Sequence, residues 1–528
     1  MSIQEEFLSG YSNIMLNDYY EVTMAYAYWK NGSYKKRATF EVFFRKNPFH
    51  GEYTIFAGLS DTINMIKNLK FTEEQVLYLQ KEMPHCEPEF FDYLRSIDSS
   101  ELTITAVPEG SFIYPREPII TVEGPLAICQ LLETPMLNLC NFASLICTNA
   151  TRMCYAAGPE TKIVEFGLRR AQGPDGGMSA SRYSYMGGCE GTSNILAGLK
   201  YDIPISGTHA HSYILSHNSL DDIKVSTLNG VDFKEVCLRV REEQGFDEAN
   251  IGELAAFISY ATAFPDKFVA LIDTYDSLIS GLPNYVCVAV ALIKAGYHPI
   301  GFRLDSGDLA YLSQECFNII KKVESVYHLG LDKVCIVCSN DINEEVIYSI
   351  NKQPHHINMY GIGTHLVTCQ GQPALGMVYK LTQIEDVKKV KMSEDKVKST
   401  IPGKKEIYRL FGKDDICILD LMVQDGEPAP IAGQKILCHC LEDSNKKVFV
   451  SPSRVELLQH VYLKNGQIET PLTPIHEVRA YIKEQIPHFR NDVMRYLNPT
   501  PYKISASTNL YTYTQEMWLE SKPIKELS

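Results

Sequence analysis

Short apolar runs alternate with helical stretches between residues 162 and 361, and this alternation constrains the fold more than any other feature of the chain. Each run has the length and apolar content of a buried strand. Strand–helix alternation predicts parallel β/α units, and six runs predict a barrel or most of one. The runs lie at 162–166, 203–205, 268–273, 298–305, 334–338 and 357–361, and helices are expected at about 184–199, 279–295, 309–327 and 343–351.

The rest of the chain has the pattern of an antiparallel α+β structure. A helical region is expected at about 60–97, a long apolar helix at about 126–155, and an amphipathic helix at 475–497. The Lys-rich stretch 386–405 is expected to be an exposed loop or a hairpin. Strand-like runs, several of them bounded by Pro or Gly, lie at 38–44, 53–57, 103–110, 119–124, 377–381 and 416–419.

Composition excludes several classes of protein. A chain of 528 residues with 45% hydrophobic content can form two or three domains, and its net charge of −14 argues against general nucleic-acid binding. We expect no apolar run of membrane-spanning length and no secretion signal at the N-terminus. Fifteen cysteines without a small-domain spacing pattern are typical of free thiols in a reducing cytosol. We therefore predict a cytoplasmic protein that binds neither nucleic acid nor membrane.

The segment 206–212 carries two histidines directly after a predicted strand end. Imidazole is the side chain best suited to exchange a proton or a phosphoryl group near neutral pH. Either His209 or His211, taken alone, could equally be a structural residue. Their spacing also fits a metal pair, but no nearby Cys or third His completes a ligand set.

Two further strand ends carry arginines followed by small or acidic residues. Arg169 follows the first run, and its guanidinium suits a phosphate or carboxylate, although a surface ion pair is the alternative. Arg303 precedes Asp305, Ser306, Gly307 and Asp308. The carboxylates there suit ribose hydroxyls or Mg²⁺, and a turn with a helix cap at Ser306 or Asp308 is the alternative.

Two glycine-rich segments complete the pattern. The stretch 172–177 is expected to be a flexible loop that closes over a ligand. Gly361, Gly363 and Thr364 follow the last run and form a possible backbone cradle for phosphate. Because ligands of β/α barrels bind at the carboxyl ends of the strands, the residues predict a sugar phosphate at the barrel mouth with a histidine facing it.

Several of these motifs resemble, in the same order, those of the eukaryotic nicotinate phosphoribosyltransferase family. They are the segments 165–177, 207–212, 303–308 and 361–364, together with 18–24 near the N-terminus. The resemblance runs from about residue 12 to the C-terminus. It implies an α/β fold, with an irregular β/α barrel beside an open-faced α/β sandwich built from N- and C-terminal segments. The expected domains are 1–155 (N-terminal helices and sandwich), 156–375 (barrel with the active site) and 376–528 (the rest of the sandwich and a C-terminal helical region).

The same resemblance implies an activity. Such enzymes join nicotinate to 5-phosphoribosyl 1-pyrophosphate, giving nicotinate mononucleotide and pyrophosphate in NAD salvage. The reaction needs Mg²⁺ and is coupled to ATP hydrolysis through a phosphorylated histidine. Family members are typically homodimers with active sites at the subunit boundary.

Roles carry over position by position. His211 matches the phosphorylated histidine, and Tyr20 matches the aromatic residue that the partner subunit stacks on the pyridine. Phe166 would cover the opposite face, and Thr208 and Arg303 match nicotinate contacts. The resemblance gives His209 no role and identifies no metal ligand. The phosphoribosyl group would be held by Arg169, Asp305, Ser306, Gly307, Gly363 and Thr364.

Two other functions remain open at this point. A relative that uses nicotinamide has similar motifs but carries an aspartate where this chain has Asn194 or, with a shift of one residue, Ser193. An aspartate would accept a hydrogen bond from the amide and repel a carboxylate, so its absence favours the acid. A catalytically silent protein that senses phosphoribosyl compounds or ATP is the second alternative. Product formation with nicotinate, against binding without turnover, separates the two classes.

Overall fold

The structure is a computed structural model that describes residues 10–393, 398–441 and 445–521. Within these residues the chain divides into two compact units. The segments up to Asn149 and from Gly371 onward form one unit, and Ala150–Gln370 form the other.

The N-terminal segment contains the predicted helices and short strands. The expected helix at 126–155 is two helices, α5 and α6, because Pro135 lacks a backbone N–H and favours the first turn of a new helix. The elements are α1 (Tyr19–Lys30), β1 (Arg37–Phe43), β2 (Thr54–Ile55), α2 (Leu59–Lys67), α3 (Glu73–Glu82), α4 (Pro88–Ser96), β3 (Thr103–Ala106), β4 (Phe112–Ile113), β5 (Ile120–Pro125), α5 (Leu126–Gln130) and α6 (Glu133–Ala157).

The middle of the chain alternates strands and helices, but the single helix expected at about 184–199 is wrong, because one helix ends at Met186 and a short strand precedes the next. Its elements are β6 (Lys162–Glu165), α7 (Gly173–Met186), β7 (Gly191–Thr192), α8 (Ile195–Tyr201), α9 (His211–Leu215), β8 (Thr227–Leu228), β9 (Val231–Asp232), α10 (Phe233–Glu243), α11 (Ile251–Ala263), β10 (Val269–Leu271), α12 (Leu282–Lys294), β11 (Gly301–Leu304), α13 (Leu309–Tyr327), β12 (Cys335–Ser339), α14 (Glu344–Ile350), β13 (Met359–Ile362) and α15 (Thr364–Val367).

The C-terminal segment is mostly β-structure. The predicted hairpin begins with β14 and β15, where Gln383 pairs with Lys388, and residues 394–397 of that stretch lie outside the described residues. The predicted helix at 475–497 is shorter than expected, because a single turn containing Pro487 replaces it after Gln485. The elements are β14 (Val378–Ile384), β15 (Val387–Lys388), β16 (Lys405–Phe411), β17 (Cys417–Gln424), β18 (Ile436–Cys440), β19 (Lys447–Val450), β20 (Arg454–Leu457), β21 (His460–Lys464), β22 (Gln467–Ile468), α16 (Ile475–Gln485), β23 (Ile504–Ala506) and α17 (Thr508–Glu520).

Strands from both ends of the chain share one antiparallel sheet, in the order β15-β14-β1-β5-β3-β21-β22. Phe40 of β1 pairs with Leu381 of β14 on one side and with Val122 of β5 on the other. A second sheet of this unit has the order β19-β18-β23-β17-β16-β20. The predicted sandwich built from N- and C-terminal segments is therefore confirmed.

The second unit is built on a six-stranded parallel sheet in the order β10-β11-β12-β13-β6-β7. Its strands are largely buried, and with the surrounding helices they form one large apolar core. Strands covered on both faces read as continuous apolar runs, which is why the sequence revealed them. The predicted parallel β/α architecture is confirmed.

One of the six predicted strands is wrong. Residues 203–205 form only a single bridge, between Ile205 and Thr192 of β7. Pro204 cannot donate to a strand ladder, which limits the pairing there. The sixth strand is instead β7, which has two residues and no apolar run to predict it. Among the described residues no pairing joins β7 to β10, so the barrel is irregular.

One helical stretch, Ser277–Lys294, is long and apolar enough to cross a membrane by length and composition. The expectation that no run reaches this length is therefore wrong. In the structure 72% of this segment is buried inside the protein, as expected for a core helix.

Candidate active site

His211 opens α9 and faces two carboxylates that follow neighbouring strands. Its Nδ1 lies 3.0 Å from the hydroxyl of Thr274. Its Nε2 lies 3.9 Å from Oδ1 of Asp273, after β10, and 4.0 Å from Oδ2 of Asp305, after β11. The two ring nitrogens therefore have different surroundings, because one is held by a hydroxyl and the other faces negative charge.

Serine hydroxyls hold both carboxylates in place. Ser306 donates to Oδ2 of Asp273 over 2.7 Å, and Ser339 at the end of β12 donates to Oδ1 of Asp305. Oδ1 of Asp273 is buried and has no hydrogen-bond partner among the residues that the structure describes. One ligand atom each from His211, Asp273 and Asp305 lie within 4.8 Å of one another. A buried carboxylate oxygen without a donor is a natural ligand for a cation.

Arg303, on β11, is a largely buried cation. Its Nε is buried without a partner, and one terminal nitrogen donates to the carbonyl of His209 over 3.4 Å. Burial lowers the pKa of Arg303, the carboxylates of Asp305 and Asp273 oppose this effect, and Arg169 adds to it. In the described part of the chain no carboxylate forms a salt bridge with Arg303. A desolvated guanidinium of this kind is suited to an anionic ligand.

Phe166 follows β6, and Gly361 on β13 makes room for its ring. A Cβ at Gly361 would overlap the phenyl ring, and a Cβ at Gly167 would overlap Val367. The amide of Phe166 donates to the carbonyl of Ile362 over 2.8 Å. The half-buried ring therefore lies at the carboxyl ends of two adjacent strands, beside Gly363 and the α15 start at Thr364.

The polar residues of the turn after β11 have two roles, one in the site near His211 and one as the cap of α13. Gly307 has a φ of +79°, a conformation that side-chain-bearing residues rarely adopt. Asp308 is the N-cap of α13, and its Oδ1 accepts from the amide of Tyr311 over 3.1 Å. The cap that the sequence left open is therefore made by Asp308, while Asp305 and Ser306 lie with Asp273 near His211.

The expectation of a flexible loop at 172–177 is wrong. Helix α7 begins at Gly173, with Gln172 as its N-cap residue. Pro174 lies in the first turn, where its fixed φ suits a helix and its missing N–H costs nothing. The glycines had suggested a loop, but the proline decided the conformation.

Asn194 belongs to a buried polar network at the ends of β6 and β7. It caps α8 by accepting from the amide of Ala197, and its side-chain amide donates to Ser181 over 3.1 Å. Ser181 donates in turn to Glu165 over 2.9 Å, and Thr192 donates to the same carboxylate over 2.5 Å. Asn194 is thus fully bonded and nearly inaccessible, whereas its neighbour Ser193 is half-buried.

A second buried network, around Glu253, supports the loop that carries Asp273. Glu253 accepts from Ser280 over 2.5 Å and from Asn284 over 3.0 Å. Ser280 belongs to a π-helical turn, Ser277–Gly281, that follows this loop. Burial raises the pKa of Glu253 to about 7, and the charges of Asp273 and Asp276 add to the effect.

This raised pKa predicts a pH-dependent stability. The folded state keeps the Glu253 proton where the unfolded chain has lost it, so stability is highest below the ordinary glutamate pKa. It then falls until the pH passes about 7. Glu253→Gln should reduce the loss of unfolding free energy between pH 5 and pH 8 by about 2–3 kcal/mol. Urea unfolding at both values measures this, with the exposed Glu248→Gln as control. An equal pH dependence in all three proteins would contradict the prediction.

Tyr20, the predicted stacking residue, lies in the other unit as the second residue of α1 and is 48% exposed. Burial and the nearby Glu133 raise the pKa of Tyr20 to about 12, so the phenol is neutral. Thr134 donates to the buried Glu21 of the same helical turn over 2.6 Å. The start of α1 is therefore anchored.

The structure adds Asp273 and Thr274, to which the sequence gave no role, and it places Ser339, a small polar residue after the predicted strand 334–338, against Asp305. Asp273 lies at the end of a predicted strand, so the strand-end rule that selected Asp305 could have selected it. Thr274 had no such signal, because only its contact with His211 gives it a role.

The two histidines of segment 206–212 have opposite environments. His211 is half-exposed among polar groups, whereas His209 is only 7% exposed and packs edge-on against Tyr260. Burial lowers the pKa of His209 to about 4, so its ring is neutral.

Taken together, these residues define an α/β-barrel enzyme whose strand ends bring together a guanidinium, an imidazole and two carboxylates. Comparison with known proteins identifies the family. Three family models match the chain: the nicotinate phosphoribosyltransferase N-terminal domain over residues 15–141, the family's central model over 161–410, and the C-terminal domain over 404–514.

Individual relatives agree. The chain is 48% identical to nicotinate phosphoribosyltransferase of Caenorhabditis elegans, over 97% of this chain and 94% of the relative. It is 38% identical to the Homo sapiens protein of that name, over 96% and 97% of the two chains. The crystal structure of human nicotinic acid phosphoribosyltransferase superposes with a TM-score of 0.84 at 36% identity, covering 95% of this chain and 99% of the other. The chain belongs to the nicotinate phosphoribosyltransferase family.

Proposed function

We propose that the protein joins nicotinate to 5-phosphoribosyl 1-pyrophosphate and releases nicotinate mononucleotide and pyrophosphate. The observation that carries this proposal is the largely buried Arg303, which forms no salt bridge within the described residues, beside the cluster of His211, Asp273 and Asp305. An anionic substrate would pair the guanidinium, and the reaction supplies two such substrates. Family membership supports the same activity.

One assay tests the activity directly. Purified protein is incubated with 5-phosphoribosyl 1-pyrophosphate and either nicotinate or nicotinamide, and pyrophosphate release is followed. Turnover with nicotinate and much slower turnover with nicotinamide is expected. Faster turnover with the amide would identify a nicotinamide-using enzyme. Binding of the phosphoribosyl compound without turnover of either base would indicate a silent sensor.

The family resemblance assigns the substrates to residues whose side chains suit them chemically. Arg303 would pair with the carboxylate of nicotinate, assisted by Thr208, and Phe166 would stack on the pyridine ring. The first turn of α15 offers backbone N–H groups, which suit a phosphate. The phosphoribosyl group would be held by Arg169, Asp305, Ser306, Gly307, Gly363 and Thr364.

The reaction itself needs charge stabilisation more than proton transfer. The pyridine nitrogen forms a bond to the anomeric carbon while the bond from that carbon to the pyrophosphate oxygen breaks. Positive charge develops on the ribose, and the carboxylate of Asp305, which Ser339 holds in place, would stabilise that charge.

Mg²⁺ fits the same cluster. Asp273 and Asp305 offer carboxylate oxygens, which Mg²⁺ prefers, and Oδ1 of Asp273 lacks any donor. These two residues would hold the ion, which when bound neutralises charge on the departing pyrophosphate. Imidazole nitrogen is a poor ligand for Mg²⁺, so His211 is left free for phosphoryl chemistry.

ATP is proposed as a co-substrate that phosphorylates His211. The hydroxyl of Thr274 occupies Nδ1, so Nε2 is the nitrogen that faces the open cluster. Nε2 would take the γ-phosphoryl group while the bond to the β-phosphate oxygen of ATP breaks, and water later releases phosphate. A phosphorylated ring adds negative charge beside the pyrophosphate position and gives ATP a route to alter affinity.

Nicotinate mononucleotide is a precursor of NAD, so we assign the protein to NAD salvage in the cytoplasm. All fifteen cysteines are free thiols, which agrees with a reducing compartment.

We further propose a homodimer in which Tyr20 reaches the active site of the partner subunit. Tyr20→Ala should then raise the nicotinate KM by about two- to tenfold, since aromatic stacking contributes about 0.5–1.5 kcal/mol beyond burial. Tyr19→Ala is the matched control, because Tyr19 is the adjacent residue and is 55% exposed.

Subunit mixing tests the shared site. Mixing Tyr20→Ala with the barrel variant Asp305→Ala should restore activity. In each hybrid dimer, one of the two sites then combines the intact Asp305 of one subunit with the intact Tyr20 of the other. No recovery after confirmed subunit exchange would rule out a site shared between subunits.

A further inference from the structure

The parallel sheet of the barrel ends at β7 on one side and at β10 on the other, and a non-strand segment, 204–209, runs from one edge to the other. On the β7 side this segment bonds through its backbone. The amide of Thr192 donates to the carbonyl of Pro204 over 3.0 Å, and the amide of Ser206 donates to the carbonyl of Thr192 over 2.9 Å. These bonds imitate a strand ladder.

On the β10 side the contact is made by a side chain. Nε2 of His209 accepts a hydrogen bond from the backbone amide of Leu271 over 3.3 Å. The next amide, that of Ile272, donates to the carbonyl of Arg303 in β11 over 3.1 Å, so the Leu271 amide points to the other, unpaired edge. Leu271 is fully buried, and a buried amide needs an acceptor.

The environment of the imidazole fixes its chemical form. The ring is packed against three aromatic side chains: Tyr260 with ring centroids 4.9 Å apart, Tyr213 at 5.8 Å and Phe257 at 5.9 Å. Burial keeps the ring neutral. Because Nε2 accepts, the single proton is on Nδ1. Nδ1 makes no hydrogen bond of normal geometry, although the Ala210 backbone lies close enough to favour a proton on the ring.

We propose that His209 is a positioning residue that closes the barrel between β7 and β10, with its imidazole in place of a strand carbonyl. Two parts of the active site depend on this link. The carbonyl of His209 accepts from Arg303 over 3.4 Å and from Thr208 over 3.2 Å. His211 follows two residues later, and its partner Thr274 follows Leu271 by three residues. The link therefore sets both the direction of Arg303 and the register of His211 against β10.

The first test measures the tautomer of the His209 ring and does not depend on an activity assay. Protein labelled with ¹⁵N-histidine is compared with the His209→Gln variant to assign the His209 ring signals at neutral pH. A protonated Nδ1 and an unprotonated Nε2 are expected. An Nε2-protonated ring, or rapid averaging between the tautomers, would overturn the proposal, because such a ring cannot accept from Leu271.

The second test compares two variants. His209→Leu keeps an apolar side chain but has no acceptor, whereas His209→Gln offers a side-chain oxygen near the position of Nε2. Hydrogen exchange at the Leu271 amide should be at least about tenfold faster in His209→Leu than in wild type. The exchange rate should return toward the wild-type value in His209→Gln. The control is His217→Leu, which replaces a half-buried histidine of the adjacent turn and should leave the exchange rate unchanged. Equal exchange in the Leu and Gln variants would contradict a role for the acceptor.

The catalytic consequence rests on the proposed function. In His209→Leu the nicotinate KM should rise about tenfold, more than kcat falls, and His209→Gln should recover most of this loss. A loss of kcat alone, without rescue by glutamine, would indicate general damage and contradict positioning. The ring tautomer and the Leu271 exchange do not depend on which substrate is turned over, so they test the closure even if the proposed activity is wrong.

Discussion

Replacing Arg303 with alanine is expected to lower kcat/KM for nicotinate by about ten- to a hundredfold, because a charge-assisted hydrogen bond to a carboxylate contributes about 1.5–3 kcal/mol. Activity with nicotinamide should change much less, since the amide has no charge to pair. Unfolding of the variant is checked separately, because the substitution also removes the hydrogen bond to the His209 carbonyl. Steady-state kinetics with both bases, together with thermal unfolding, measure these effects.

Two comparisons make this experiment specific. Arg170→Ala is the matched control, because Arg170 is an exposed arginine after β6 to which we assign no role. Adding Ser193→Asp to Arg303→Ala should narrow the preference for nicotinate further by repulsion of the carboxylate, because Ser193 is half-buried whereas Asn194 is enclosed in a buried network. If Arg303→Ala instead depressed both activities equally and raised the KM for 5-phosphoribosyl 1-pyrophosphate, Arg303 would bind the sugar phosphate and the acid would be selected elsewhere.

Replacing His211 with asparagine is expected to lower the rate of ATP hydrolysis by about a hundredfold or more. Synthesis of nicotinate mononucleotide should continue at its ATP-independent rate. Asparagine can keep a polar atom near Thr274, in the place of Nδ1, but it has no atom equivalent to Nε2. The fold should therefore be preserved. Labelled ATP should leave an acid-labile phosphoryl group on wild-type protein and none on the variant.

The same experiment separates the two histidines of segment 206–212. Peptide mapping should place the label on His211, and His217→Asn should be labelled like the wild type. His209 should not be labelled, because its ring is buried and its Nε2 accepts a hydrogen bond from the Leu271 amide. A label on His209 would contradict the assignment of the phosphohistidine to His211. Unchanged ATP hydrolysis in His211→Asn would exclude a phosphohistidine at this position.

The sequence by itself determined the architecture of the barrel and most of its polar strand ends. Buried parallel strands are continuous apolar runs, so β6, β10, β11, β12 and β13 were visible from composition and length. Residues at the ends of such runs share one edge of the sheet, and this local rule selected Arg169, Arg303 and Asp305. It also selected His211, although the run before that residue is not a strand. The order of these motifs then indicated the family, and the comparisons confirm it.

Only the tertiary structure decided the features that depend on contacts between distant segments. Strand β7 is defined by its pairing with β6, and the helix that begins at Gly173 is favoured by Pro174. The apolar pattern of the sequence predicts neither feature. Thr274 gained its role from a hydrogen bond to a residue 63 positions away. His209 and His211 are equivalent by local spacing, yet the unpaired edge of β10 buries one ring as an acceptor and leaves the other facing two carboxylates. A two-residue spacing cannot encode that difference, because it arises from where the sheet stops pairing.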